Sequence, residues 1–166
     1  EDILRVFSIN PYIAKTYQAP GGDRVYVEED DVLSVSTEGS ITYRASEGGI
    51  ALKNDGTITE HESVGLAANK LAEISALLYS DMPYVSADIV SVEKQADEIH
   101  IGGIIKLDGI PVSEDVYSAG VIVRDGVIIR MWIDMPGIYP GEMKTLLSDV
   151  MAHGINDGKD GRYEII

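Results

Sequence analysis

The sequence predicts an α+β fold in which a strongly curved antiparallel sheet wraps around helices to form a cone with an interior pocket. Three observations lead there. Residues 115–135, DVYSAGVIVRDGVIIRMWIDM, place the dipeptide Asp125-Gly126 between two long apolar runs; a type I′ turn needs positive φ at both central residues, so Asp-Gly there marks a hairpin. Residues 62–79, ESVGLAANKLAEISALLY, carry apolar side chains near helical spacing and are rich in Ala and Leu. Strands that follow a helix in a run, rather than alternating with helices, make an antiparallel sheet with the helices to one side.

Along the chain, residues 2–18 hold Ile3, Leu4, Val6, Phe7, Ile9, Tyr12, Ile13 and Tyr17, a partly helical pattern that Pro11 interrupts, so a broken or two-part helix is expected. Pro20-Gly21-Gly22 turns the chain. Arg24–Glu28 and residues 32–36 are short and β-branched, fit for strands. Ile41–Ala45 and residues 49–53 follow as strands, closed by a turn at Asn54-Asp55-Gly56. Residues 84–92 and Glu98–Leu107 form a further hairpin around residues 94–97, with Val90, Val92, Ile99, Ile101 and Ile105 on one face by period-two counting. Gly102-Gly103 within that strand signals a bend. A final helix is expected over residues 141–153, beginning after Pro140 and stopping at Gly154. No repeat or low-complexity linker divides the chain, so one domain is expected, with residues 1–39 an elaboration of a core at 40–136 and a tail at 137–166.

Composition narrows the function. With 166 residues, 45% of them apolar, the chain can bury a sizeable core. Its formal charge of −15, from 28 acidic and 13 basic residues, would repel a phosphate backbone, so nucleic acid is not an expected partner. No window approaches the apolar length of a membrane span. Glu1-Asp2-Ile3 lacks a basic, then apolar, secretory pattern, which leans toward the cytoplasm without deciding the compartment. The chain has no cysteine, which removes thiolate nucleophiles and zinc–thiolate sites. Glu28-Glu29-Asp30-Asp31 reads as a solvated acidic group; its alternative as a calcium loop lacks the EF-hand alternation. The histidines His61, His100 and His153 are scattered, so no metal site and no cofactor is expected.

Strand parity supplies candidate side chains. Counting outward from Asp125-Gly126 without irregularities pairs Ser118 with Ile133, Gly120 with Met131 and Ile122 with Ile129 on one face, and Tyr117 with Asp134, Ala119 with Trp132 and Val121 with Arg130 on the other. Both faces are substantially apolar. One would line a pocket, with Ser118 and Met131, and the other, with Trp132 and Arg130, would be a subunit interface, making a homodimer. Asp88 falls on the apparent core side with Val90 and Val92, where desolvation would suit it to acid or base work; its ordinary reading is a wet strand rim. Tyr84 shares that face.

Together, Ile41–Ala45, residues 62–79, YVSADIVSVEK, EIHIGGIIKLDG and VYSAGVIVRDGVIIRMWIDMP resemble the nuclear transport factor two-like superfamily, which includes SnoaL-like cyclases, ketosteroid isomerases and limonene epoxide hydrolases. The resemblance covers residues 40–136. It implies the cone and a small apolar ligand, with an isomerase, cyclase or hydratase acting by proton transfer. The family's acids are absent: Tyr43-Arg44-Ala45 stands where isomerases hold a general base, Tyr117 or Ser118 where they hold an oxyanion-binding acid, and Ile133 where hydrolases hold an Asp. Asp88 and Tyr117 are thus the catalytic candidates, and Tyr43, Tyr84, Ser118 and Met131 the substrate-binding ones. The alternative is a non-catalytic dimerisation or partner-binding module of the same fold.

Overall fold

The computed structural model describes residues 2–53, 58–80, 85–111 and 117–134. Among them are α1 (Asp2–Val6), β1 (Lys15–Gln18), β2 (Arg24–Glu28), β3 (Asp31–Val35), β4 (Ile41–Ala45), β5 (Ile50–Ala51), α2 (Glu60–Leu78), β6 (Val85–Gln95), β7 (Glu98–Leu107), β8 (Ile110–Pro111), β9 (Ala119–Arg124) and β10 (Val127–Ile133). The fold is mixed α+β. All ten described strands join one sheet, in the order β1-β2-β3-β4-β10-β9-β7-β6, with β5 beside β10 and β8 beside β7. Every pairing is antiparallel. The β9–β10 hairpin inserts between the N-terminal meander and the β6–β7 hairpin, which stitches the two halves of the chain together.

The Asp125-Gly126 turn forms as its residues demand, with φ of 49° and 75°. The helix at 62–79 starts two residues earlier than its apolar pattern, because Thr59 caps it: the Glu62 amide donates to the Thr59 hydroxyl while the Glu62 carboxylate accepts from the Thr59 amide. One face of α2, Ser63, Ala67, Leu71, Ile74 and Ser75, is buried against the sheet.

The N-terminal segment departs from the two-part helix. Only α1 is helical, and Ser8 at φ 60° ends it. Residues 15–18 instead pair with β2, because Gly21 and Gly22, at φ 109° and 99°, close a hairpin that a helix would preclude. Leu4, Phe7 and Ile9 still enter the core. The Phe7 ring sits 5.3 Å from that of Tyr43.

Two bulges decide which side chains face the helices. In β10 the register slips between Ile128 and Arg130, and in β6 between Ile89 and Ser91. Beyond Ile129, Met131 pairs with Val121 and Ile133 with Ala119. The bulge-free pairing of Ser118 with Ile133 and Gly120 with Met131 is therefore corrected by one residue. The inner face carries the cross-strand row Leu33, Tyr43, Met131, Val121 and Ile101, all buried and packed under α1 and α2. Among the described residues no helix is long and apolar enough to cross a membrane. The expected helix at 141–153, the turn at 54–56 and Tyr84 lie outside the described residues.

Candidate functional site

The side of the sheet away from α1 and α2 is built from two cross-strand rows. One runs Lys15, Val27, Val32, Arg44, Arg130, Ile122, His100, Glu93; the next runs Tyr17, Val25, Ser34, Thr42, Trp132, Gly120, Gly102, Ser91. Gly120 and Gly102 stand directly opposite each other. Without side chains there, the backbone forms a flat platform, and aromatic rings lie on it. A Cβ at Gly102 would come within 2.9 Å of the Tyr117 ring, and one at Gly120 would overlap the Trp132 ring. The indole N–H donates to the Tyr117 carbonyl at 3.4 Å. The Arg130 guanidinium lies over the indole, 5.4 Å from its centroid.

Tyr117 nevertheless remains 45% exposed. An open groove of about 340 Å³ adjoins this cluster, lined by Val32, Ser34, Thr42 and Arg44. Arg44 and Arg130 are directly opposite each other in the register, an arrangement in which like charges repel. No ion pair is formed by either among the described residues. Acids of this face on the other half are Glu93, which accepts from Ser91, Glu98, which binds Arg124 and His100, and Asp88. The Arg124 hydrogen bond, then that of His100, holds the Glu98 carboxyl below its ordinary range.

The sequence candidates separate. Trp132, Arg130 and Tyr117 share this outer face, and Tyr117 lines no inner pocket. Asp88 is corrected: the bulge at Val90 breaks the parity with Val92, so Asp88 pairs with Ile104 on the outer face, and the Lys106 ammonium binds it at 2.6 Å. Half-exposed and ion-paired, it is not a desolvated base. His100 pairs with Glu93, because the β6–β7 hairpin turns tightly at Ala96-Asp97 rather than over residues 94–97. Met131 is a core residue, packed under the helices. Ser118 is buried, and its hydroxyl accepts from the Ile105 amide at 2.7 Å. Tyr43 is wholly buried, and its hydroxyl donates to the Asp31 carboxylate at 2.9 Å. Burial, reinforced by that bond, drives the Tyr43 hydroxyl well above its ordinary pKa of 10.0.

Asp31, part of the acidic group at 28–31, is raised above its ordinary 3.8 chiefly by burial, with the Tyr43 bond opposing and Glu28, Asp30 and Glu29 adding to the rise. A raised carboxyl binds its proton more tightly folded than unfolded, so its stabilising contribution is complete below 3.8 and is lost as pH rises through the raised value. Urea unfolding of the wild type and Asp31→Asn across the acid range is expected to show this loss in the wild type alone; equal slopes would refute the burial. Among the described residues no group of three or more His, Asp or Glu is placed to hold a metal ion.

Arg44 and Glu93 of this face were not singled out by sequence parity, and Gly120 was paired with Met131 instead of Trp132. The available signal was glycine within an apolar strand close to an aromatic on its neighbour, but it has meaning only once the register is known. Compared with protein-family models, with curated proteins and with solved structures, the chain has no match.

Proposed function

We propose that the chain is a non-catalytic association module that works through the outer face of its sheet, where a second copy of the same chain docks. The observation that carries this reading is the pair of aromatic rings laid on facing glycines: Tyr117 and Trp132 make a flat, half-open apolar platform that no described helix covers. Flat aromatic surface with a neighbouring arginine is the composition of a protein contact. Acid–base chemistry has little support beside it. Asp88 is neutralised by Lys106, and the positions of the family acids hold Tyr43, Tyr117, Ser118 and Ile133.

Trp132 is the sole tryptophan, so its emission reports on this face alone. On raising the concentration from below 1 µM to about 100 µM, the span in which weak interfaces assemble, the emission is expected to shift to the blue and to resist acrylamide, in step with a doubling of sedimenting mass. A monomer with unchanged emission throughout would sink the reading.

A second reading keeps the resemblance to the cone-shaped superfamily and places a small apolar molecule inside the sheet. Its support is the Ser75 and Tyr79 hydroxyls, both buried and without a hydrogen-bond partner, one helical turn apart at the end of α2. An unsatisfied buried hydroxyl costs on the order of 1–3 kcal/mol, which a ligand carbonyl or a water would relieve. A monomer that takes up an apolar dye without change at Trp132 favours this reading.

A further inference from the structure

We infer that the two copies pair about a two-fold axis running along β9, so that Arg44 of each copy faces Glu93 of the other. This rests on the reading of the outer face as a self-association surface. The charges select the axis. In the row Lys15, Val27, Val32, Arg44, Arg130, Ile122, His100, Glu93, cations gather at the β1–β10 end and the acid stands at the β6 end. Two aligned sheets packed face to face, related by a two-fold parallel to their strands, read this row against its own reverse.

An axis between β4 and β10 would give the largest overlap but stack Arg44 on Arg130 of the second copy, gathering four arginines. An axis along β10 would set Arg130 against itself. One between β10 and β9 would leave Glu93 over Val32. One between β9 and β7 would set Arg130 over Glu93, but it overlaps four strands rather than five and leaves Arg44 outside the contact. Only the axis along β9 brings Arg44 over Glu93 without opposing arginines, and it sets Arg130 over His100. The same axis acts on the second row. Trp132 then meets Gly102 of the second copy, where that copy's Tyr117 ring lies, so two aromatic contacts flank the centre.

Eight strands at about 4.8 Å spacing make a face on the order of 35 Å wide. The axis along β9 overlaps five of these strands, about 24 Å across, over the roughly 20 Å length of β9, so the two copies bury about 1,000 Å² in total, the low end of specific interfaces. The contact is therefore of moderate strength, and the charge pair, occurring twice, weighs heavily in it. The Arg44–Arg130 juxtaposition, costly within one copy, is relieved when the acid of the second copy arrives.

The test is a charge exchange, read by sedimentation equilibrium of the full chain. Arg44→Glu and Glu93→Arg, each alone, are expected to weaken dimerisation by about tenfold or more, and the double variant to recover to within about threefold of the wild type. Dimerisation of the wild type is expected to weaken as salt is raised. Both side chains are exposed, and melting curves check that each variant folds. A wild-type dimer that either single variant leaves intact, or that the double variant fails to restore, overturns this pairing while self-association stands. A wild type that stays monomeric overturns both.

Discussion

Gly120→Val is expected to cost about 3 kcal/mol of stability, the upper range for forcing side-chain volume into a packed site, and to abolish pairing of the chain. The Trp132 ring occupies the space a side chain at 120 would need, and a Cβ would also stand 2.9 Å from the Ile101 carbonyl oxygen. The ring can swing away but the backbone carbonyl belongs to the β7–β9 ladder and cannot. Two consequences separate these causes. Adding Trp132→Ala to Gly120→Val is expected to recover part of the stability, since it removes the ring, and none of the pairing, since it removes the platform. Urea unfolding with sedimentation checks both, and wild-type stability for Gly120→Val would show that the ring does not rest on the glycine.

Phe7→Ala is expected to lose about 3–5 kcal/mol, the usual cost of emptying a buried phenylalanine site. Phe7 is wholly buried, tilted by 32° against Tyr43. It holds the N-terminal segment on the sheet together with Leu4 and Ile9, and α1 has only five residues and no stability of its own. Tyr43 cannot shift to fill the void, because its hydroxyl is committed to Asp31. A total stability of about 5–15 kcal/mol is typical of such a domain, so the variant approaches the unfolding threshold. Accelerated proteolysis near residue 14 is expected alongside the shifted urea midpoint. A loss under about 1 kcal/mol would mean the segment is not part of the core.

How far the sequence reached depends on how local each signal is. Asp125-Gly126 and the periodicity of α2 are set by neighbours within a few residues, and the structure has them. Arg24–Glu28, Ile41–Ala45 and Glu98–Leu107 match their strands residue for residue. Residues 15–18 were harder, because their strand exists only through pairing with β2; Lys-Thr-Tyr-Gln has no alternation strong enough to announce it. The composition of the outer face was legible in part. Trp132 and Arg130 follow from their spacing on one strand, and Tyr117 from its neighbourhood. Asp88 was set on the wrong face by the extra residue at Val90, and the extra residue at Ile129 moved the partner of Met131 from Gly120 to Val121, since one added residue shifts the pairing of everything beyond it.

The amino-acid sequence by itself determined the α+β class, the hairpins and the long helix. Those rest on local turn chemistry, periodicity and residue identity. Only the tertiary structure decided which face of each strand meets the helices, through the bulges at Val90 and Ile129. It alone set Gly102 opposite Gly120 beneath two aromatic rings, and Arg44 opposite Arg130. Residues so far apart along the chain become neighbours through the register of a sheet, and register is a cooperative property of all its strands.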